Sequence, residues 1–224
     1  FKLDFDGNFL CNYKVDRYPQ AYSLLPQGII LGSETASTVS SRGVYHFPVE
    51  LGPQKEHADH QSSSYDTEYC WWSNIPDEDF AADEDYPWCI GQFVWTGFDY
   101  LGEPTPYGWP SRSSYFGIVD LAGFPKDVYW MYQSEWTDKT VLHLFPHWNW
   151  KEGDTVDIWT YYSNADEVEL FVNGKSLGKK SKTNEVLHAE WLEVPYEPGM
   201  IEVVSYKDGA EVARTSRVTA GEPV

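Results

Sequence analysis

A single glutamate, Glu34, follows the apolar run of GIILGSETAS at residues 28–37. A carboxylate fixed at the end of a buried strand can attack an electrophilic carbon or carry a proton; in a solvated turn it would do neither. A second stretch repeats the pattern. In GQFVWTGFDYLGEPTPY, residues 91–107, the apolar pair Phe93 and Val94 leads into Trp95, and Asp99 and Glu103 follow on the next loop. An indole beside carboxylates suits a pyranose, whose C–H face stacks on an aromatic ring while its hydroxyls bond to acids. Asp99 and Glu103 are candidate hydroxyl ligands, with loop bracing as the alternative for each.

These side chains need strands to hold them. Ile29, Ile30 and Leu31, bounded by glycines, form too short a run for a helix and read as a strand buried on both faces, the habit of parallel sheets. Glu34 then falls at the C-terminal end of that strand, where (β/α)8 barrels keep their catalytic groups.

With these residues in place the chain resembles glycoside hydrolase family 2, in its β-galactosidase branch. The segments GSETASTVSSRGVYHFP, GQFVWTGFDYLGEPTPY and SSYFGIVDLAGFPKD carry the resemblance, in the family's order and across nearly the whole chain. It implies the C-terminal part of a (β/α)8 barrel, about strands six to eight, over residues 1–136, and an immunoglobulin-like β-sandwich over 137–224. It further implies a retaining β-glycosidase with Glu34 as nucleophile and Trp95 as the floor of the sugar subsite. Asn12 and Tyr13 match the Asn-Tyr pair ending the sixth strand, where the phenol can donate to the carboxylate and favour its charged form. β-Glucuronidase and β-mannosidase are the other specificities within the family, and a noncatalytic carbohydrate-binding or scaffold module is the reading from a different class.

The family's acid/base is a glutamate after an asparagine, well upstream of the nucleophile. Asn184-Glu185 is a pair of that kind, but it falls among Lys179, Lys180 and Lys182 in a hairpin region and is rejected for that role. The expectation is a fragment whose N-terminal half supplies the proton donor, with a β-galactoside oligosaccharide or polysaccharide as substrate. No cofactor and no metal is expected, and the resemblance implies a periplasmic or secreted bacterial enzyme.

Composition agrees with that class. The 224 residues carry a net charge of -19, which repels nucleic acid and anionic membranes. Aromatics make up 17% of the chain, with 11 Trp and 16 Tyr; some of these belong to the core, and such content is also what carbohydrate surfaces use. Cys11, Cys70 and Cys89 are widely spaced and read as free thiols. No run of 18 apolar residues is present to span a membrane, and the opening FKLDFDGNFLCNY has no signal-peptide core.

Along the chain, residues 1–13 read as a strand and 17–25 as a short helix stopped by Pro26. Residues 38–90 are a long excursion with a helix over 77–82; its acidic cluster reads as a solvated face, lacking the spacing of a calcium loop. His57 and His60 read as loop residues. A strand over 91–95, a loop over 102–112 and a return over 115–119 precede an amphipathic helix over 125–136, with Val128, Met131 and Tyr132 on one face. Beyond residue 141 the period becomes two, with strands over 156–162, 167–172, 186–194, 201–206 and 210–218. Asn173-Gly174 and Asp208-Gly209 mark hairpins between them.

Overall fold

The computed structural model describes residues 2–3, 9–26 and 28–221. The chain divides into two compact units, residues 1–44 with 50–126, and residues 45–49 with 127–224.

The first unit is built on a four-stranded sheet. Strands β1 (Lys2–Leu3) and β2 (Phe9–Asn12) pair antiparallel, and a 3-10 turn and helix α1 (Tyr18–Leu24) lead to β3 (Ile30–Thr35). Two short strands, β4 (Gly52–Pro53) and β5 (Glu68–Tyr69), pair parallel within the excursion, which also holds α2 (Pro76–Asp85). Strand β6 (Cys89–Val94) then joins β3 in parallel, giving the order β1-β2-β3-β6. The expected strand over 1–13 is strand at 2–3 and 9–12; residues 1 and 4–8 lie outside the described ones.

Tyr18 and Ala21 of α1 and Ala82 of α2 close over Ile30, with Tyr86 and Trp88 at the margin. The fit leaves no room at Gly32, where a Cβ would come within 2.8 Å of the Tyr18 hydroxyl and of the Thr35 methyl. The expected burial of this strand, β3, on both faces is incomplete, since Ile30 and Gly32 are buried while Leu31 and Ser33, on the opposite face, are half-buried. In β6, Ile90 and Phe93 are exposed.

The acidic cluster corrects an expectation. Asp77 and Asp79 of α2 are buried, and Asn74 Nδ2 donates to Asp79 Oδ2 at 2.8 Å, whereas Glu78, Glu84 and Asp85 are exposed, so only part of the cluster is a solvated face. Burial raises the Asp79 carboxyl well above the usual carboxylate range. Asp66, buried in the same excursion, accepts from Thr38 Oγ1 at 2.7 Å, and burial pushes its carboxyl up to about 7. A carboxyl whose folded pKa lies above its unfolded value stabilises most below about pH 4, and that contribution is lost as pH rises through 7. Relative to Asp66→Asn, the wild-type protein is therefore expected to lose up to about 1.4 kcal/mol of unfolding free energy per pH unit in that window, by urea titration. Parallel pH profiles for the two proteins would contradict it.

The second unit is a two-sheet sandwich preceded by helix α3 (Asp127–Trp136). One sheet has the order β11 (Ala189–Pro195), β8 (Thr155–Tyr162), β7 (Leu142–Phe145). The other runs β10 (Lys175–Lys180), β9 (Glu167–Val172), β12 (Met200–Lys207), β13 (Ala210–Val218). Every pairing is antiparallel. Both expected hairpin turns have positive φ at each central residue, Asn173 and Gly174 in one and Asp208 and Gly209 in the other, as a twisted two-residue turn requires. Inward residues of the two sheets share a core that includes Leu144, Ile158, Leu170, Trp191, Ile201 and Val203. Each such aliphatic side chain contributes about 1.5–3 kcal/mol by its burial.

The division at residue 126 differs from the expected boundary at 136, because Asp127 belongs with the sandwich. Its Oδ1 lies 2.6 Å from His143 Nε2, and its Oδ2 accepts from the Tyr45 hydroxyl at 2.8 Å. Buried Asp157 holds the Val49 N–H in the same way at 3.0 Å. Residues 45–49 are thus tied to a sandwich more than 75 residues downstream. Among the described residues, no helix is long and apolar enough to cross a membrane.

Candidate active site

Glu34 is the penultimate residue of β3, and the parallel register of β2 sets Asn12 opposite it. The chain then turns. Tyr13 takes a left-handed φ of 53°, its N–H donates to the Glu34 carbonyl at 2.9 Å, and its phenol donates to Glu34 Oε2 at 2.8 Å. The hydroxyl of Ser33 donates to Asn12 Oδ1 at 2.5 Å, a second link between the two strand ends. Burial raises the Tyr13 phenol above its ordinary value, and the Glu34 carboxylate to which it donates adds to the shift. A phenol that keeps its proton remains a donor, so it favours the charged carboxylate.

Trp95 follows β6 directly, and its N–H donates to the Thr35 carbonyl at 2.9 Å, one residue beyond Glu34. The indole meets Tyr100 edge-on at 6.0 Å and packs against Val39, Cys70 and Phe116. That apolar setting pushes the Cys70 thiol up to about 12, an inert thiol. Cys89 is also free; the side chain of Cys11 lies outside the described residues. Below the strand ends, Thr35 Oγ1 donates to Gln92 Oε1 at 2.7 Å and Gln92 Nε2 to Asp83 Oδ2 at 2.9 Å. β3, β6 and α2 are thereby tied together, and nothing in the spacing of those three residues signals it.

Tyr13 and Glu34 meet through their side chains, Asn12 is tied to the same strand end through Ser33 and Trp95 through the Thr35 carbonyl; Asp99 and Glu103 take no part in these contacts among the described residues. Asp99 is committed elsewhere. Its carboxylate receives Lys126 Nζ at 2.8 Å and the Gly117 N–H at 2.7 Å, the bracing role left open for it on sequence grounds. Glycine is required at 117, since a Cβ would stand 2.0 Å from the Asp99 nitrogen. Glu103 is exposed on the following loop. His57 Nε2 lies 2.6 Å from Glu68 Oε1, and His60 is exposed.

Sequence and structural comparisons converge on one class. Residues 153–213 match a domain family of unknown function, DUF4982. Over 220 residues the chain is 50% identical to the β-galactosidase BoGH2A of Bacteroides ovatus, covering 95% of this chain and 26% of that protein. A protein of Formosa agariphila that carries a β-glucuronidase name is 50% identical over 147 residues, 62% of this chain and 14% of the relative. The chain therefore spans about a quarter or less of these relatives' lengths. Among solved structures, a β-glycosidase from Bacteroides vulgatus superposes with a TM-score of 0.76 at 35% identity, covering 93% of this chain and 29% of the other. A family 2 glycosyl hydrolase from Bacteroides cellulosilyticus gives a TM-score of 0.63 at 28% identity, covering 94% and 25%.

The relatives are glycoside hydrolases by name, and the mostly β architecture with few helices matches theirs. Homologues and structural neighbours of the chain are members of glycoside hydrolase family 2.

Proposed function

We propose that this chain is the nucleophile-bearing part of a retaining β-galactosidase. The first unit is read as the C-terminal part of its (β/α)8 barrel and the sandwich of the second unit as the immunoglobulin-like domain that follows. One observation carries the reading: a glutamate at the end of a parallel strand, oriented by the 2.8 Å bond from the neighbouring strand's tyrosine, with an indole at the end of the next strand.

Retention of configuration needs two carboxyl groups about 5–5.5 Å apart, one attacking the anomeric carbon and the other protonating the departing oxygen. Glu34 is the attacking group. Held by Tyr13 at Oε2, it presents its other oxygen to C1, forms the glycosyl ester and is released when water attacks that ester. Trp95 supplies the apolar face on which the sugar ring stacks. The proton donor is assigned to the remainder of the same enzyme, upstream of Phe1.

Galactose is favoured as the glycone by the 50% identity to a β-galactosidase over nearly the whole chain. Glucuronic acid is the second reading, supported by the relative that carries that name. The full-length enzyme is expected to hydrolyse 4-nitrophenyl β-galactoside at least about 100-fold faster, in kcat/KM, than the β-glucuronide, because a site that bonds the galactose hydroxymethyl group does not pair a carboxylate in its place. The reverse preference would overturn the galactosidase reading in favour of the glucuronidase one.

A further inference from the structure

We propose that the notch beneath Trp109 is a second saccharide-binding subsite, taking a sugar of an oligosaccharide chain beyond the one gripped at Glu34. The inference rests on the hydrolase reading above for the kind of ligand. A cavity of about 50 Å³ opens between two loops of the first unit, lined among others by Glu56, His60, Gln61, Tyr107 and Trp109. That volume admits a hydroxyl or hydroxymethyl group, not a ring. The ring itself has a platform beside it, because Trp109 is 79% exposed.

Several features suit a neutral, hydroxylated ligand. The Arg112 guanidinium lies 4.7 Å from the Trp109 ring centroid, so the indole is braced on one side while most of the residue stays open. Glu56, His60 and Gln61 are exposed and supply a carboxylate, an imidazole and a carboxamide, groups that bond to sugar hydroxyls. The floor is rigid. The Tyr107 hydroxyl is 2.9 Å from Ser62 Oγ and donates to the Lys55 carbonyl at 3.3 Å, and its ring meets Tyr115 edge-on at 5.2 Å. The Tyr115 hydroxyl donates to the His60 carbonyl at 3.3 Å, which fixes the opposite lip.

Tyr107 and Tyr115 also pack on the Val39, Cys70 and Phe116 cluster that carries Trp95. Aromatic packing therefore runs from the indole at the Glu34 strand ends to the loop bearing Trp109. A large exposed apolar side chain on a braced loop, ringed by polar groups, is the build of a binding surface and not of a solvated turn.

The test uses the full-length enzyme carrying Glu34→Gln, with β-1,4-galactotetraose and methyl β-galactopyranoside as probes in titration calorimetry. Adding Trp109→Ala is expected to weaken the tetrasaccharide at least about 10-fold and leave the methyl glycoside unchanged, with Trp109→Phe falling between. Equal tetrasaccharide affinity with and without Trp109 overturns the subsite while leaving the hydrolase reading standing. Failure of the wild-type enzyme to turn over any β-galactoside removes the hydrolase reading. Loss of affinity for both probes on Trp109→Ala also overturns the subsite, since it would mark a general structural defect.

Discussion

Replacing Glu34 by Gln in the full-length enzyme is expected to lower kcat for an aryl β-galactoside by at least about 10³-fold, because the nucleophile cannot be replaced by another group in a two-step displacement. The substitution keeps the side chain's shape and still accepts the Tyr13 hydroxyl, now 2.8 Å from Oε2. Binding of methyl β-galactopyranoside should change by less than about 3-fold, since ground-state contacts survive. A noncatalytic carbohydrate module would show no such split between turnover and binding. Retention of more than a tenth of wild-type kcat would exclude Glu34 as the nucleophile.

Lys126→Met is expected to cost about 3–5 kcal/mol of stability, because it leaves a buried carboxylate without its counter-charge. Lys126 is 1% exposed, and its ammonium donates to the Ser40 carbonyl at 2.7 Å, to Asp99 at 2.9 Å and to the Tyr115 carbonyl at 3.2 Å. One side chain thus joins the segment after β3, the loop after β6 and the return at Tyr115. Burial lowers the Lys126 ammonium and raises the Asp99 carboxyl, so each depends on the other to stay charged. Adding Asp99→Asn should recover part of the loss, as neighbours in one network are not additive. A loss under about 1 kcal/mol in urea unfolding would show that the pair is not buried as described.

What the sequence reveals follows from which interactions are local. The strand leading to Glu34 is legible because three branched apolar residues between glycines leave few alternatives, and it is observed over Ile30–Thr35. Helix α3 is legible from Val128, Met131 and Tyr132, all buried. Strand β10 is not, because every residue of KSLGKK is exposed and no alternation marks it; only pairing with β9 makes it a strand. The unit boundary at 126 is hidden for a different reason. Asp127 is bound to Tyr45 and His143, and no local pattern encodes partners 82 and 16 residues away. The acidic stretch misleads because charge density reads as solvation, whereas Asp77 and Asp79 face inward from α2. Lys126 follows a proline and precedes an aspartate, which looks like a surface lysine until the fold closes on it.

At the site, residue types and their places at strand ends are legible, and the resemblance supplies the roles. The bond between Tyr13 and Glu34 depends on a left-handed turn at a non-glycine residue, which propensity disfavours. Ser33, Gln92 and Asp83 support the strand ends through contacts that only the parallel register creates.

The central claim is that Glu34 forms the bond to the sugar. Incubating the full-length enzyme with 2-deoxy-2-fluoro-β-galactosyl fluoride, digesting it and weighing the peptides should show one fluorogalactosyl group on the peptide containing Glu34. A label on any other carboxylate, or none from an enzyme that still turns over β-galactosides, would contradict it.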